Sequence, residues 1–301
     1  MLHTLREAGL PVTEVLGAGM EGTVAALDDD RVVKLWDRRS RADLEGLRTF
    51  YDAVHQAGIK LRVPRILAIV AVGDGWATVQ ARLTGTPLWT DHDVSPTRGG
   101  RHARALLEVV TALVTLRPTA EMAVLPLAAG APPFDPAVPF GESLATLVEA
   151  RVERDAATLA RLLPDIESRG AALAIALRSL PPAEAALVHG DLGPSNILAV
   201  EGRPTSLLDF GYLSTVGDPA FDAAVAATLF DMFGSHAAEA EEWVDRLFAD
   251  RFGYARDRIV LYRAAYGLVT ASCLVAVADG RHFRWCADLV GRPETTATLG
   301  L

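Results

Sequence analysis

Lysine is nearly absent from this chain. Lys34 and Lys60 stand against 27 arginines, so each retained lysine asks for a reason. Cysteine is as scarce: Cys273 and Cys286 lie in an apolar C-terminal stretch with no Cys/His cluster. That excludes a disulfide-stapled module and leaves a structural metal without ligands, and both read as buried reduced thiols. A basic excess is also missing. The formal net charge is −9, which excludes a nucleic-acid binder held by phosphate neutralisation. No apolar run is long enough to span a bilayer. The longest, near Gly267–Ala278, is interrupted by Thr270 and Ser272 and reads as a core helix. Residues 1–7 lack the long apolar region of a signal peptide. These absences predict a soluble cytoplasmic protein without a membrane or nucleic-acid partner; they set no oligomeric state.

Half of the 301 residues are hydrophobic, enough for two lobes with their own cores. The charge is uneven. Residues 1–100 carry 12 basic and 13 acidic side chains, and the remainder carries 17 against 25. An acidic second part attracts cationic ligands at long range, and it serves solubility equally well.

The first part reads as strands. Val12–Leu16, Thr23–Leu27 and Arg31–Leu35 are β-like and separated by a glycine-rich turn and by Asp28-Asp29-Asp30. Leu44, Leu47, Tyr51 and Val54 recur at helical spacing over Arg41–Ala57, and Gly58 stops the helix. Pro64–Val72 and Trp76–Leu83 form a second hairpin around Gly73-Asp74-Gly75. The expectation is a five-stranded antiparallel sheet with one helix, ending at Thr84-Gly85-Thr86-Pro87. Beyond that hinge, helices dominate around a short β patch at Ala186–His189, Ile197–Val200 and Thr205–Leu208. The fold class is α+β, with residues 1–84 as one lobe and 85–301 as the other.

The most informative stretch is Val188-His189-Gly190-Asp191-Leu192-Gly193-Pro194-Ser195-Asn196. It sets an Asp and an Asn five residues apart on a loop. An apolar pair, Leu207-Leu208, then delivers Asp209-Phe210-Gly211. Phosphoryl transfer needs these groups: one carboxylate to orient an acceptor hydroxyl, an amide and a second carboxylate to hold magnesium against nucleotide phosphates. Asp191 is therefore the candidate base, and Asn196 and Asp209 are the candidate metal ligands, with oxygen donors that suit a hard cation. An Asx turn accounts for Asp191 alone and a cap for Asn196 alone, but not for the set. His189 reads as a hydrogen-bonding support of the loop.

Upstream, Gly17-Ala18-Gly19-Met20-Glu21-Gly22-Thr23-Val24 has the form G-x-G-x-x-G-x-V with β-like flanks on both sides. That favours a flap over phosphates rather than a dinucleotide turn, which requires a following helix. Gly17, Gly19 and Gly22 are its candidate binding residues. Lys34 lies one strand further on and is the candidate phosphate-binding cation. It needs an acid to hold it; Asp43 and Glu45 on the next helix are the candidates, with Glu45 preferred for its reach.

Together, Gly17–Val24, Lys34, His189–Asn196 and Asp209 resemble the aminoglycoside phosphotransferase and choline kinase superfamily, relatives of the protein kinases. The loop reads His-Gly-Asp rather than His-Arg-Asp, and no Ala-Pro-Glu follows Asp209-Phe210-Gly211. Gly217-Asp218-Pro219-Ala220-Phe221-Asp222 comes at once, and Leu83–Leu88 looks like that family's hinge exit. The resemblance implies a two-lobed kinase-like fold and ATP- and magnesium-dependent phosphorylation of a small hydroxylated molecule. Adenine would meet backbone near Ala81 and Leu83, and Asp218 and Asp222 would be structural. A cationic acceptor, an aminoglycoside or a basic peptide antibiotic, would suit Asp231, Glu239 and Glu242, with Glu241 and Asp245 beside them. Trp243, Tyr262, Tyr266 and Trp285 could line the acceptor site, with core packing the reading for most of them. A kinase for a neutral metabolite such as a sugar or homoserine, and an idle kinase-like binding module, are the alternatives. ATP is not separated from GTP.

Overall fold

The computed structural model describes residues 2–19, 21–88, 96–271 and 280–301, without the side chains of residues 96–99 and 129. Cys273 and Met20 lie outside the described residues, and Cys286 is buried. Among the described residues no helix is long and apolar enough to cross a membrane.

The N-terminal part holds the expected sheet. Strands β1 (Val15–Gly19), β2 (Gly22–Ala26), β3 (Arg31–Trp36), β4 (Ile66–Val72) and β5 (Gly75–Ala81) are arranged β1-β2-β3-β5-β4 and every pairing is antiparallel. Helix α1 (Leu2–Glu7), which the sequence does not announce, packs Leu5 with Val12, Ala25, Val33 and Val79 in a small core. Helix α2 (Arg41–Gln56) starts in a capping box: Ser40 accepts from the Asp43 N–H while Asp43 accepts from the Ser40 N–H. Its buried stripe is Leu44, Leu47, Phe50, Tyr51 and Val54, each contributing about 1.5–3 kcal/mol of burial. That stripe belongs to the large core, which runs on through Leu88, Leu106 and Val110 into the helical part. So α2 ties the two parts together.

The helical part contains α3 (Pro96–Val114), α4 (Phe140–Leu159), α5 (Ile166–Arg178), α6 (Ala220–Leu229), α7 (Ala237–Phe252), α8 (Arg256–Thr270), α9 (Arg281–Gly291) and α10 (Pro293–Leu299). Two small sheets sit in front of them. Strand β6 (Thr86–Pro87) pairs with β8 (Ile197–Val200), which pairs with β9 (Arg203–Leu207). Strand β7 (Ala186–Val188) pairs with β10 (Thr215–Gly217). The hinge exit is thus stitched to β8, where a Cβ on Gly85 would lie 2.9 Å from the Ala199 carbonyl oxygen. Arg62 of the N-terminal part is bonded on both sides to β9, by its N–H to Thr205 and by its carbonyl to the Leu207 N–H. These strands present three loops at one place: the end of β7, the start of β8 and the end of β9.

Candidate active site

The loop after β7 carries His189-Gly190-Asp191, and its backbone is fixed from behind. Asp222 on α6 accepts from the His189 N–H at 2.7 Å and the Gly190 N–H at 2.8 Å. Ser214 donates to the His189 carbonyl at 2.6 Å and accepts from the Gly211 N–H at 2.9 Å. Burial pushes the Asp222 carboxyl up to about 7 against those two N–H groups, which favour its anion. Asp218 accepts from Tyr262 at 2.7 Å, from Arg258 and from the Ala220 N–H. Both aspartates are structural, as the motif reading expects.

His189 is a neutral support. Its Nε2 donates to the Leu208 carbonyl at 2.8 Å and its Nδ1 accepts from the Asp191 N–H at 3.2 Å. Complete burial drives its pKa down to about 4, although the Leu208 carbonyl favours the cation. Phe210 packs between the His189 ring, at 4.4 Å, and Phe50 of α2, at 5.3 Å. The aromatic stack therefore joins α2, the Asp209 segment and the catalytic loop.

Gly190 explains why the loop reads His-Gly-Asp. Its φ is +78°, and a Cβ there would fall 2.4 Å from the Leu213 carbonyl oxygen. Gly190→Ala should cost about 1–2 kcal/mol for the left-handed backbone alone, and more for the clash. Urea unfolding checks this, and wild-type stability would contradict it. Asp209 also has positive φ, +52°, a conformation that Asp tolerates better than most residues.

A cavity of about 320 Å³ lies in front of these loops, lined by Gly17, Gly19, Glu21 and Gly22 above, Lys34 at the back, and Asp191, Asn196, Asp209 and Tyr212 below. Lys34 Nζ donates to Asp209 Oδ1 at 2.9 Å. Asn196 donates from its amide nitrogen to the Asp191 carbonyl at 2.8 Å, which leaves its amide oxygen for a cation. Asp191 Oδ1 accepts from the Tyr266 phenol at 2.9 Å. Burial pushes the Asp191 carboxyl up to about 6; the phenol opposes the rise and the Asp209 charge adds to it.

The residues fit a nucleotide and its metal on two observations. A Cβ on Gly17 or Gly19 would meet no protein atom within 4 Å, so these glycines are not packing requirements, and what they leave open is cavity. Asn196 and Asp209 border that same cavity with an amide oxygen and a carboxylate. Asp209 and Asn196 are a two-oxygen set of the kind magnesium completes with phosphate oxygens and water. Gly22 has a different reason: its φ is +151° and a Cβ would overlap the Leu35 carbonyl of β3.

Several expected site residues do not line this cavity. Glu45 pairs with Arg48 and with Arg41 at 3.7 Å, and Asp43 closes the helix cap. Neither reaches Lys34; Glu21 on the flap does, at 3.7 Å. The Ala81 N–H is spent on the Arg65 carbonyl, and neither Ala81 nor Leu83 lines this cavity. Asp231 is buried just beyond α6, packed against Gly234. Glu239 and Glu242 are exposed on α7, paired with His236 and Arg246. Glu241 and Asp245 are buried with Arg263. Replacing both Glu239 and Glu242 with Gln should change an acceptor's KM by less than about twofold, because exposed pairs of this kind contribute little. A larger rise, in steady-state kinetics, would return them to the site. Tyr266, read from sequence with the other aromatics as lining an acceptor site or packing in the core, is bonded to Asp191 itself. An aromatic on an apolar helix gives no local sign of a partner 75 residues away.

The model of the phosphotransferase enzyme family matches residues 12–260. Viomycin phosphotransferase of Streptomyces vinaceus is 34% identical over 96 residues, 30% of this chain and 33% of that protein, so the match spans about a third of the relative's length. Among solved structures, a thermostable mutant of aminoglycoside phosphotransferase APH(4)-Ia superimposes with a TM-score of 0.72 at 17% identity, covering 100% of this chain and 98% of that one. The same enzyme with ADP and hygromycin B gives 0.71 at 16%, covering 99% and 97%. Aminoglycoside phosphotransferase APH(3'')-Id of Streptomyces rimosus, with ADP and streptomycin, gives 0.57 at 21%, covering 89% and 97%. The chain belongs to the phosphotransferase enzyme family and has the fold of the aminoglycoside phosphotransferases.

Proposed function

We propose that this enzyme transfers the γ-phosphoryl group of ATP, with magnesium, to a hydroxyl of a small cationic molecule, an antibiotic such as an aminoglycoside or a basic peptide antibiotic. The observation that carries the reading is that Lys34, Asp191, Asn196 and Asp209 border one cavity beneath a glycine flap. ADP-bound relatives of the same fold support the nucleotide. The acidic excess after residue 100 and the antibiotics bound by those relatives support the acceptor class. Residues 1–84 then serve the nucleotide and 85–301 the catalytic loop and acceptor, in the cytoplasm, where ATP is.

Asp191 receives the acceptor hydroxyl on the carboxylate edge that Tyr266 leaves open. The acceptor oxygen bonds to the γ-phosphorus, the bond from that phosphorus to the β–γ bridging oxygen breaks, and the hydroxyl proton passes to Asp191. Lys34 and the flap amides would hold phosphate oxygens. Asn196 and Asp209 would hold magnesium, which neutralises charge on the phosphates and on the leaving diphosphate.

An idle binding module is disfavoured because all four groups are present. The test is mass spectrometry after incubation with ATP and magnesium, across hydroxylated antibiotics, sugars and homoserine. A gain of one phosphoryl group on cationic antibiotics is expected. Gain only on sugars or homoserine selects the neutral-metabolite reading, and no gain on any acceptor sinks the proposal.

A further inference from the structure

Lys34 has two acidic contacts among the described residues, and neither comes from α2. Asp209 is at 2.9 Å and Glu21 at 3.7 Å. Asp209 is also the carboxylate proposed for the metal, so the lysine needs another acid that stays with it when a nucleotide binds. The acids of α2 are committed to the helix cap and to Arg41 and Arg48. Glu21, by contrast, is held in place. Arg39 donates to its Oε1 at 2.5 Å, and the Asp37 N–H donates to its backbone carbonyl at 3.1 Å. The Arg39 guanidinium is largely buried, lies 5.9 Å from the Trp36 ring centroid and also donates to the Gly211 carbonyl at 3.3 Å. One arginine thus grips both the flap above the cavity and the segment after Asp209 below it.

We propose that Glu21 is the positioning acid of Lys34, and that Arg39 straps it, and with it the glycine flap, to the Asp209-Phe210-Gly211 floor. The proposal rests on the kinase reading of the same cavity. The acid of the phosphate-binding lysine sits on the flap rather than on the helix behind it. Lid position and lysine position are therefore set by one ion-paired group. The strap is a built part of the site, because both partners are anchored by backbone contacts as well as by each other.

The test is ADP affinity by calorimetry, with kcat and KM for ATP on the best acceptor and a melting curve for each variant. Glu21→Gln should weaken ADP by about five- to twentyfold, in the range of coupled neighbours. It should raise the KM for ATP, leave the acceptor's KM unchanged and lower the melting temperature by only about 2 °C. Glu21→Asp should recover part of the loss. Arg39→Gln should weaken ADP similarly, and the double variant should be no worse than Glu21→Gln, since the two act as one unit. Glu45→Gln should behave as wild type. Unchanged or tighter ADP binding in Glu21→Gln overturns the proposal, as does a loss in Glu45→Gln; tighter binding would mean that Glu21 competes with phosphate. A wild-type protein that binds no ADP removes the kinase reading and this inference with it.

Discussion

Asp191→Asn should lower turnover by about a thousandfold while leaving ADP affinity within about twofold of wild type. The amide keeps the shape of the carboxylate and can still accept from Tyr266. It cannot take the acceptor's proton. The loop is held by Asp222, Ser214 and His189 rather than by the Asp191 carboxylate, so the backbone should not move. Single-turnover kinetics separate the two effects: slow chemistry with normal nucleotide affinity supports the role. Turnover within about tenfold of wild type would remove Asp191 from the reaction. Joint loss of ADP affinity would make it a structural or phosphate-site residue instead.

What was legible in the sequence was local. Alternating apolar runs bounded by Gly73-Asp74-Gly75 and Asp28-Asp29-Asp30 gave the five strands to within a few residues. The spacing of Asp191, Asn196 and Asp209 was readable because short loops join them to paired strands β7, β8 and β9. What was not legible depends on contacts between distant segments. The acid beside Lys34 comes from the flap, and only the β1–β2–β3 pairing brings Glu21 over the lysine. Strand β10 is three residues long and exists because β7 is its partner. The α7 acids were partly legible. Glu241 and Asp245 are four residues apart, next to Ala240, Val244 and Phe248, so helical spacing already turns them toward the core, whereas Glu239 and Glu242 fall on the outer side.

That division leads to the largest stability effect expected here. Arg263 on α8 is 1% exposed. It donates to both Asp245 oxygens at 2.8 and 2.7 Å, to Thr228 at 2.7 Å, and pairs with Glu241 at 3.1 Å and Glu294 at 3.3 Å. Arg292 and Arg256 complete the network at Glu241, Asp245 and Glu294, so three acids face three arginines. Arg263→Ala leaves two buried carboxylates short of a cation and removes every fork of the guanidinium. Breaking a buried pair in this way costs about 3–5 kcal/mol, which for a chain of this size lowers Tm by roughly 6–10 °C. Arg263→Lys should rescue little, because an ammonium cannot reach Thr228, Asp245 and Glu241 together. Differential scanning calorimetry decides the matter, with acceptor kinetics beside it. A Tm within about 2 °C of wild type, together with a change in acceptor KM, would mean that these acids are not locked in the core. They would then be available to draw a cationic acceptor toward Asp191.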